Sequence, residues 1–307
     1  MSELKEWQRT ALELRECQGL SGRQVAKIVG MSKTQVNDFF GKYYKEINPK
    51  ENMIEGLGRI PRVLVLDIET RQMTLEGFGL FNQNFSLEQI AEDWSILSFS
   101  AKFMGEEEIL YYDVSEHTED FLLDRLYELL DEAEFVLAHN GRRFDMKKIR
   151  ARMVARGFKP HSPVRILDTL EIAKKEFGFS SNKLQYLTNL LCKAKKSSHN
   201  KFPGFLLWKE FVRGNPEAIQ EMRDYNIIDV ASLEELFLIL APWSSTLPNF
   251  AAYFQDYNMS DWEECGFIYS NLGRYKKYRH KVTGQYRRGR ENLLSKEERS
   301  KLLANIV

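Results

Sequence analysis

Four carboxylates and one tyrosine, spread over three stretches, are the residues whose types and spacing suit chemistry. Asp67 and Glu69 stand two apart in Val63-Leu64-Val65-Leu66-Asp67-Ile68-Glu69-Thr70. Asp145 closes Asn140-Gly141-Arg142-Arg143-Phe144-Asp145, and Tyr225 precedes Asp229 by four positions in Tyr225-Asn226-Ile227-Ile228-Asp229. Residues two apart on a strand leave the same face, and residues four apart on a helix share one. Carboxylates held that closely repel one another unless a cation lies between them. Mg²⁺ and Mn²⁺ take oxygen ligands, so the chemistry on offer is that of a divalent-cation site. Each motif alone also has an ordinary reading: a strand end meeting solvent, an acidic first helical turn, a tyrosine beside a surface carboxylate.

The elements that must position these groups follow from the hydrophobic pattern. The apolar run Arg62–Asp67 predicts a strand, and Ile96–Phe103 and Glu108–Tyr112 predict two more in an antiparallel meander. A helix over Glu119–Glu132, a strand over Phe135–Ala138, a helix over Phe144–Arg156 and a short strand near Arg165–Leu167 come next, and helical stretches dominate to Leu240. Strands first and strand-helix alternation afterwards predict an α/β fold, a mixed sheet flanked by helices.

The order strand-Asp-x-Glu, then Asn-x-x-x-Phe-Asp, then Tyr-x-x-x-Asp resembles the DEDD superfamily of 3′–5′ exonucleases. Tyrosine four residues before the last aspartate, with Asp224 where the other subclass has histidine, points to the tyrosine subclass. Asp168-Thr169-Leu170, Lys183-Leu184-Gln185-Tyr186-Leu187, Leu207-Trp208 and Met222-Arg223-Asp224-Tyr225-Asn226 are similar to a branch with ribonuclease-H-like domains found in bacterial and phage proteins. The resemblance covers about residues 60–243. It implies two Mg²⁺ or Mn²⁺ ions: Asp67 bridging both, Glu69 and Asp229 completing one site, and Asp145 helping to hold the other through water. It further implies that Tyr225 orients the attacking water, that Asn140 and Thr70 contact the substrate, and that a single-stranded DNA 3′ end is cut to nucleoside 5′-monophosphates.

Three rival readings stay open: an exoribonuclease, a transposase-like strand-transfer enzyme, and a non-catalytic DNA-binding regulator. Asp168 is read as a helix cap and His139 as structural, while Lys193, Lys195, Lys196 and Lys201 read as a solvated run.

Residues 1–47 carry helical spacing at Leu4, Trp7, Ala11, Leu12 and Leu14, a stop at Gly19, a cap at Ser21, and Val25, Ile28 and Val29 on one face. Gly30 makes a tight turn, Ser32 caps again, and Val36, Phe39 and Phe40 anchor a third helix. This resembles helix-turn-helix DNA-binding domains, which implies a last helix offering Lys33, Thr34, Gln35 and Asn37 to duplex DNA. A small helical bundle that contacts protein is the alternative. Residues 48–61 read as a linker, 62–243 as the exonuclease domain and 258–307 as a basic tail.

The 307 residues carry 44 Lys and Arg against 44 Asp and Glu, unevenly placed. Residues 271–307 hold eleven basic residues against three acidic ones, which suits a phosphate backbone. Within that tail, Tyr275-Lys276-Lys277-Tyr278-Arg279-His280, a turn at Thr283-Gly284 and Tyr286-Arg287-Arg288 predict a β-hairpin. Tyr275, Tyr278 and Arg279 are its candidate nucleic-acid contacts. The segment is similar to a zinc ribbon that has lost its metal. Trp262-x-x-Cys265 and His280-x-x-Thr283 stand where two Cys-x-x-Cys pairs belong, so no zinc is expected.

Cys17, Cys192 and Cys265 lie far apart, which fits a reducing compartment. The N-terminus does not resemble a signal peptide, and Leu236–Gln255, interrupted by Pro242 and Pro248, reads as a helix end and loop rather than a membrane span. A cytoplasmic protein is expected, in the host cytoplasm for a phage-encoded chain. The family's usual company adds a separate DNA polymerase as an expected partner.

Overall fold

The computed structural model describes residues 4–16, 22–47, 53–54, 58–59, 61–79, 84–193, 201–248, 259–270 and 272–303. It divides into two units, Met1–Asn52 with Pro61–Phe237 and Met53–Ile60 with Leu238–Val307. Met53–Ile54 (β1) and Gly58–Arg59 (β2), a short antiparallel pair, belong to the second. Most of the expected linker, the Gly19 stop and the Ser21 cap lie outside the described residues.

An unbroken apolar run makes the central strand. Val63, Leu64, Val65 and Leu66 are all buried in β3 (Val63–Thr70), as a strand covered on both faces requires. The strand runs three residues past its expected end at Asp67. Its partner β6 (Ile96–Phe103) keeps pairing with it, Asp67 facing Ser100 and Glu69 facing Ser98. The acidic pair therefore sits inside the sheet. The pairing slips by one residue between Glu69 and Thr70, a bulge of the kind that re-aims side chains at a site.

Between those strands lie β4 (Thr74–Leu75) and β5 (Ile90–Glu92), a small pair too short to show in the hydrophobic pattern. Beyond β6 comes β7 (Leu110–Asp113), antiparallel, which completes the expected meander. On the other side of β3, β8 (Phe135–Ala138) and β9 (Arg165–Asp168) run parallel to it. The order β7-β6-β3-β8-β9 is the expected mixed sheet.

Helices cover both faces. Helix α4 (Glu119–Glu132) starts where the Thr118 side chain accepts the Phe121 N–H, with Glu119 and Asp120 suiting the positive end of the helix dipole. Its stripe Leu122, Leu123, Leu126 and Leu130 packs with Met146, Ile149 and Met153 of α5 (Asp145–Ala155) onto Leu64, Leu66, Ile68 and Phe99 of the sheet. Helices α6 (Thr169–Glu176) and α7 (Leu184–Leu191) follow β9. Leu97 packs into a separate cluster with Leu207 and Phe211 of α8 (Leu206–Val212) and Ala218 and Met222 of α9 (Pro216–Leu240). Because side chains alternate along β3, Asp67 and Glu69 point away from the face that carries Leu64, Leu66 and Ile68. No helix among the described residues is long and apolar enough to cross a membrane.

The N-terminal helices α1 (Glu6–Glu16), α2 (Gly22–Val29) and α3 (Lys33–Ile47) close on Ala11, Leu12, Val25, Ala26, Val36 and Phe39. Ile28, expected on the buried face, is exposed. The stripe runs through Gly22, Val25, Ala26 and Val29, and position 28 falls outside that spacing.

These helices share a unit with the sheet and are tied to α4. The Glu128 carboxylate accepts from Arg15 Nη1 at 3.0 Å, from the Gly22 N–H at 2.7 Å and from Arg125 Nη1 at 2.7 Å. Arg23 pairs with Asp124 at 3.6 Å, and the Lys33 ammonium lies over the Tyr127 ring, 4.0 Å from its centroid. A Cβ at position 22 would meet Asn37 Oδ1 at 2.2 Å and Glu128 Oε1 at 3.0 Å, so a larger residue there would displace the ends of those two side chains.

In the second unit, β10 (Trp262–Ser270), β11 (Gly273–His280) and β12 (Tyr286–Arg288) form an antiparallel sheet, followed by α10 (Lys296–Ser300). The expected hairpin is β11–β12, and β10 adds a third strand.

Replacing Glu128 by alanine leaves the Gly22 N–H and Arg15 without that acceptor, a loss of about 1–3 kcal/mol. Amide hydrogen exchange over residues 6–40 of Glu128→Ala should rise well above wild type while the sheet stays protected. Equal protection of the N-terminal helices in both proteins would contradict the docking.

Candidate metal centre

Carboxylate oxygens of Asp67, Glu69 and Asp229 lie within 4.8 Å of one another. Asp67 and Glu69 come from one face of β3, and α9 brings Asp229 across to them. Asp229 is almost fully buried and the other two are half-buried. An all-oxygen trio of that size fits a hard divalent cation.

Asp145, the fourth expected ligand, stands outside this trio. It is the first residue of α5, and its Oδ1 accepts the N–H of Ile68, between Asp67 and Glu69 in β3, at 3.2 Å. Burial pushes its carboxyl up to about 7, with the nearby Asp168 carboxylate adding to the rise and the Ile68 amide opposing it. The loop before it is tightly folded. Asn140 has a φ of 70°, and a Cβ at position 141 would meet the Ala138 Cβ at 2.4 Å, which explains the Asn-Gly sequence.

Tyr225 is half-buried one helical turn before Asp229. Burial foremost, then the charges of Asp229, Glu69 and Asp67 and the hydrogen bond to Asp229, hold its phenol well above the ordinary value. It therefore keeps its proton and stands as a donor beside the carboxylates.

Two residues without an expected role complete the site. Asn226, fully buried on α9, donates from Nδ2 to Asp67 Oδ2 at 2.6 Å, and its Oδ1 accepts from the Ser98 hydroxyl at 3.3 Å. Trp208 on α8 donates its indole N–H to Glu69 Oε2 at 2.9 Å and meets the Tyr225 ring edge-on at 6.1 Å. Both lay in sequence stretches similar to the exonuclease branch, which was the available signal; their contacts were not.

The remaining candidates divide. Thr70 sits half-buried at the bulge ending β3, and Asn140 sits half-buried with its N–H held by Asp168 Oδ1 at 2.9 Å. Asp168 is a helix cap, accepting the Leu170 N–H at 3.0 Å. His139 bonds Thr169 Oγ1 at 2.8 Å and the Asn182 carbonyl at 2.9 Å through its two ring nitrogens, a structural role. Lys33 and Asn37, expected to face duplex DNA, are half-buried. Burial, with Arg23 beside it, holds the Lys33 ammonium below its ordinary value. Gln35 is exposed and caps its own helix, its Oε1 accepting from the Ser32 hydroxyl at 2.9 Å. Thr34 is exposed. Lys201 pairs with Glu217 at 3.4 Å, Lys193 donates its N–H to Glu235 at 2.9 Å, and Lys195 and Lys196 lie outside the described residues.

In the second unit, Tyr275 and Arg279 share one face of β11, while Tyr278, at an even position, lies on the other. Trp262 pairs across the sheet with His280, their rings edge-on at 4.9 Å, and the Cys265 thiol contacts the Lys277 carbonyl at 3.5 Å.

A family model described as the RNase_H superfamily matches residues 85–241. The match takes in Asp145, Tyr225 and Asp229 and begins after the strand carrying Asp67 and Glu69. Among solved structures, a family B DNA polymerase from the hyperthermophilic archaeon Pyrobaculum calidifontis is similar at 16% identity and a TM-score of 0.47, over 65% of this chain and 28% of that one. No curated protein matches this chain.

Groups that orient metal-binding carboxylates typically change affinity by about 10–100-fold when removed. Trp208→Phe keeps an aromatic ring, though a smaller one, and removes the N–H to Glu69, and Asn226→Ala removes the amide on Asp67. Each should weaken Mn²⁺ binding, followed by electron paramagnetic resonance titration, by about tenfold or more. Wild-type affinity in both variants would contradict the orienting role.

Proposed function

The chain belongs to the RNase_H superfamily, and on that footing we propose that it is a metal-dependent 3′–5′ exonuclease that cuts single-stranded DNA to nucleoside 5′-monophosphates. The observation that carries the reading is the convergence of Asp67, Glu69 and Asp229 within 4.8 Å, with Tyr225 hydrogen-bonded at their edge. The polarity and the product rest on the order of these residues along the chain, which resembles the tyrosine subclass of DEDD exonucleases.

Asp67, Glu69 and Asp229 would hold one divalent ion, Mg²⁺ or Mn²⁺, and Asp67 with Asp145, the latter through water, would hold a second, as the family resemblance implies. Such ions, when bound, lower the pKa of a water and steady the leaving 3′-oxygen. The chain's own residues do the rest. Asn226 and Trp208 fix the rotamers of Asp67 and Glu69. The protonated Tyr225 holds the attacking water by a hydrogen bond instead of taking its proton. Asn140 and Thr70, at the ends of β8 and β3, seat the terminal nucleotide.

Asp67→Asn, which keeps a partner for Asn226, should abolish release of label from a 3′-labelled strand in Mg²⁺ while strand binding persists. Tyr225→Phe should cut turnover about 100-fold with the fold intact by circular dichroism. Hydrolysis retained by Asp67→Asn removes Asp67 from the centre. Matched DNA and RNA oligomers digested side by side test the choice of sugar, and faster RNA digestion overturns the DNA assignment.

A further inference from the structure

The three-stranded sheet of the second unit has two unlike faces. Directly opposed residues on antiparallel strands share a face, and neighbours along a strand alternate. Arg279 opposes Tyr286 and Lys277 opposes Arg288, so one face carries Tyr275, Lys277 and Arg279 from β11 with Tyr286 and Arg288 from β12. Its neighbouring carboxylate across β10 is Glu263, opposite Arg279.

The cations on this face rest on rings. Arg288 lies 4.2 Å from the centroid of Tyr275, and Lys277 and Arg279 lie 5.5 Å and 5.8 Å from that of Tyr286. Tyr286 is 57% exposed. On the opposite face Arg287 stands opposite Tyr278, and Lys276 and Arg274 are engaged within the sheet. Lys276 pairs with Glu264 at 2.9 Å, Arg274 lies over Phe267 at 5.3 Å, and His280 meets Trp262.

We propose that the face formed by Tyr275, Lys277, Arg279, Tyr286 and Arg288 binds single-stranded nucleic acid, with the cations on successive phosphates and a base stacked on Tyr286. It deepens the exonuclease reading and rests on it for the class of ligand. Three cations against one carboxylate suit a polyanion, and cations interleaved with an exposed ring suit one that also carries flat bases. A duplex, with its bases already stacked, offers nothing to Tyr286. Tyr278 belongs to the other face and takes no part, contrary to the sequence expectation.

The test uses the full-length protein in EDTA, so that nothing is cut, and follows the fluorescence anisotropy of a labelled oligodeoxythymidine. The combined variant Lys277→Gln, Arg279→Gln, Arg288→Gln should raise Kd about tenfold or more. It should also flatten the dependence of log K on log salt by about two, from three lost phosphate contacts at about 0.7 each. Tyr286→Ala alone should weaken oligodeoxythymidine about tenfold while leaving inorganic polyphosphate unchanged. Lys276→Gln with Arg274→Gln, on the opposite face, should stay within about twofold of wild type.

Unchanged binding in the triple variant overturns the proposal, as does an equal loss from the variant of the opposite face. Polyglutamate binding as tightly as the oligonucleotide also overturns it, reassigning the face to an acidic protein. An oligouridine arm supports the face whichever sugar binds more tightly. Without metal, failure here leaves the carboxylate centre untouched, whereas a wild-type protein that binds strands but never cuts them in Mg²⁺ overturns the nuclease reading alone.

Discussion

Like charges crowded onto one face of a strand are the constraint on which the rest of this structure turns. Oxygens of Asp67, Glu69 and Asp229 sit within 4.8 Å of one another. At that separation, each pair of unit charges repels by about 3–4 kcal/mol in a medium of effective dielectric about 20. Hydrogen-bond donors offset part of this. The Asn226 amide faces Asp67, the Trp208 indole faces Glu69, and Tyr225 is bonded to Asp229. Neutral donors orient the carboxylates without cancelling their charge, which leaves a negative concentration suited to a cation.

The fold exists around that arrangement in a definite way. Pairing with β6 continues past Asp67, so the two strand carboxylates are held by backbone ladders on a rigid sheet rather than on a loop. Leu64, Leu66 and Ile68 anchor the reverse face of the same strand to α4 and α5. On the front, Met222 of α9 packs with Leu97, Leu207 and Phe211, which fixes the helix that delivers Tyr225, Asn226 and Asp229 together. A single helix thus supplies the hydroxyl, the orienting amide and the third carboxylate within five residues. Asp145 ties the start of α5 to the middle of the acidic strand through the Ile68 amide.

Much of this was legible in the residues. The apolar runs of β6 and β8 and the leucine stripe of α4 gave those elements their observed bounds, because burial on a sheet or a helix face leaves a periodic trace. That Asp67, Glu69 and Asp229 belong together was readable from their order along the chain; that Asp145 lies outside that trio was not. The contacts of Asn226 and Trp208 were not, since they exist only where α9 and α8 cross the sheet, and no local spacing encodes that crossing. Lys33 was misread for the same reason: Tyr127 of α4, far along the chain, turns it from a surface cation into a packed one. The separation of Tyr278 from Tyr275 and Arg279 was available all along, in the two-residue period of a strand.

Crystals soaked in MnCl₂ and measured at the manganese absorption edge test the central claim most directly. Two anomalous peaks about 4 Å apart, one in contact with Asp67, Glu69 and Asp229 and the other with Asp67, are the expected result. An absence of manganese from those oxygens in well-diffracting crystals, with the ion bound elsewhere on the chain, would contradict a metal-dependent nuclease centre at this site.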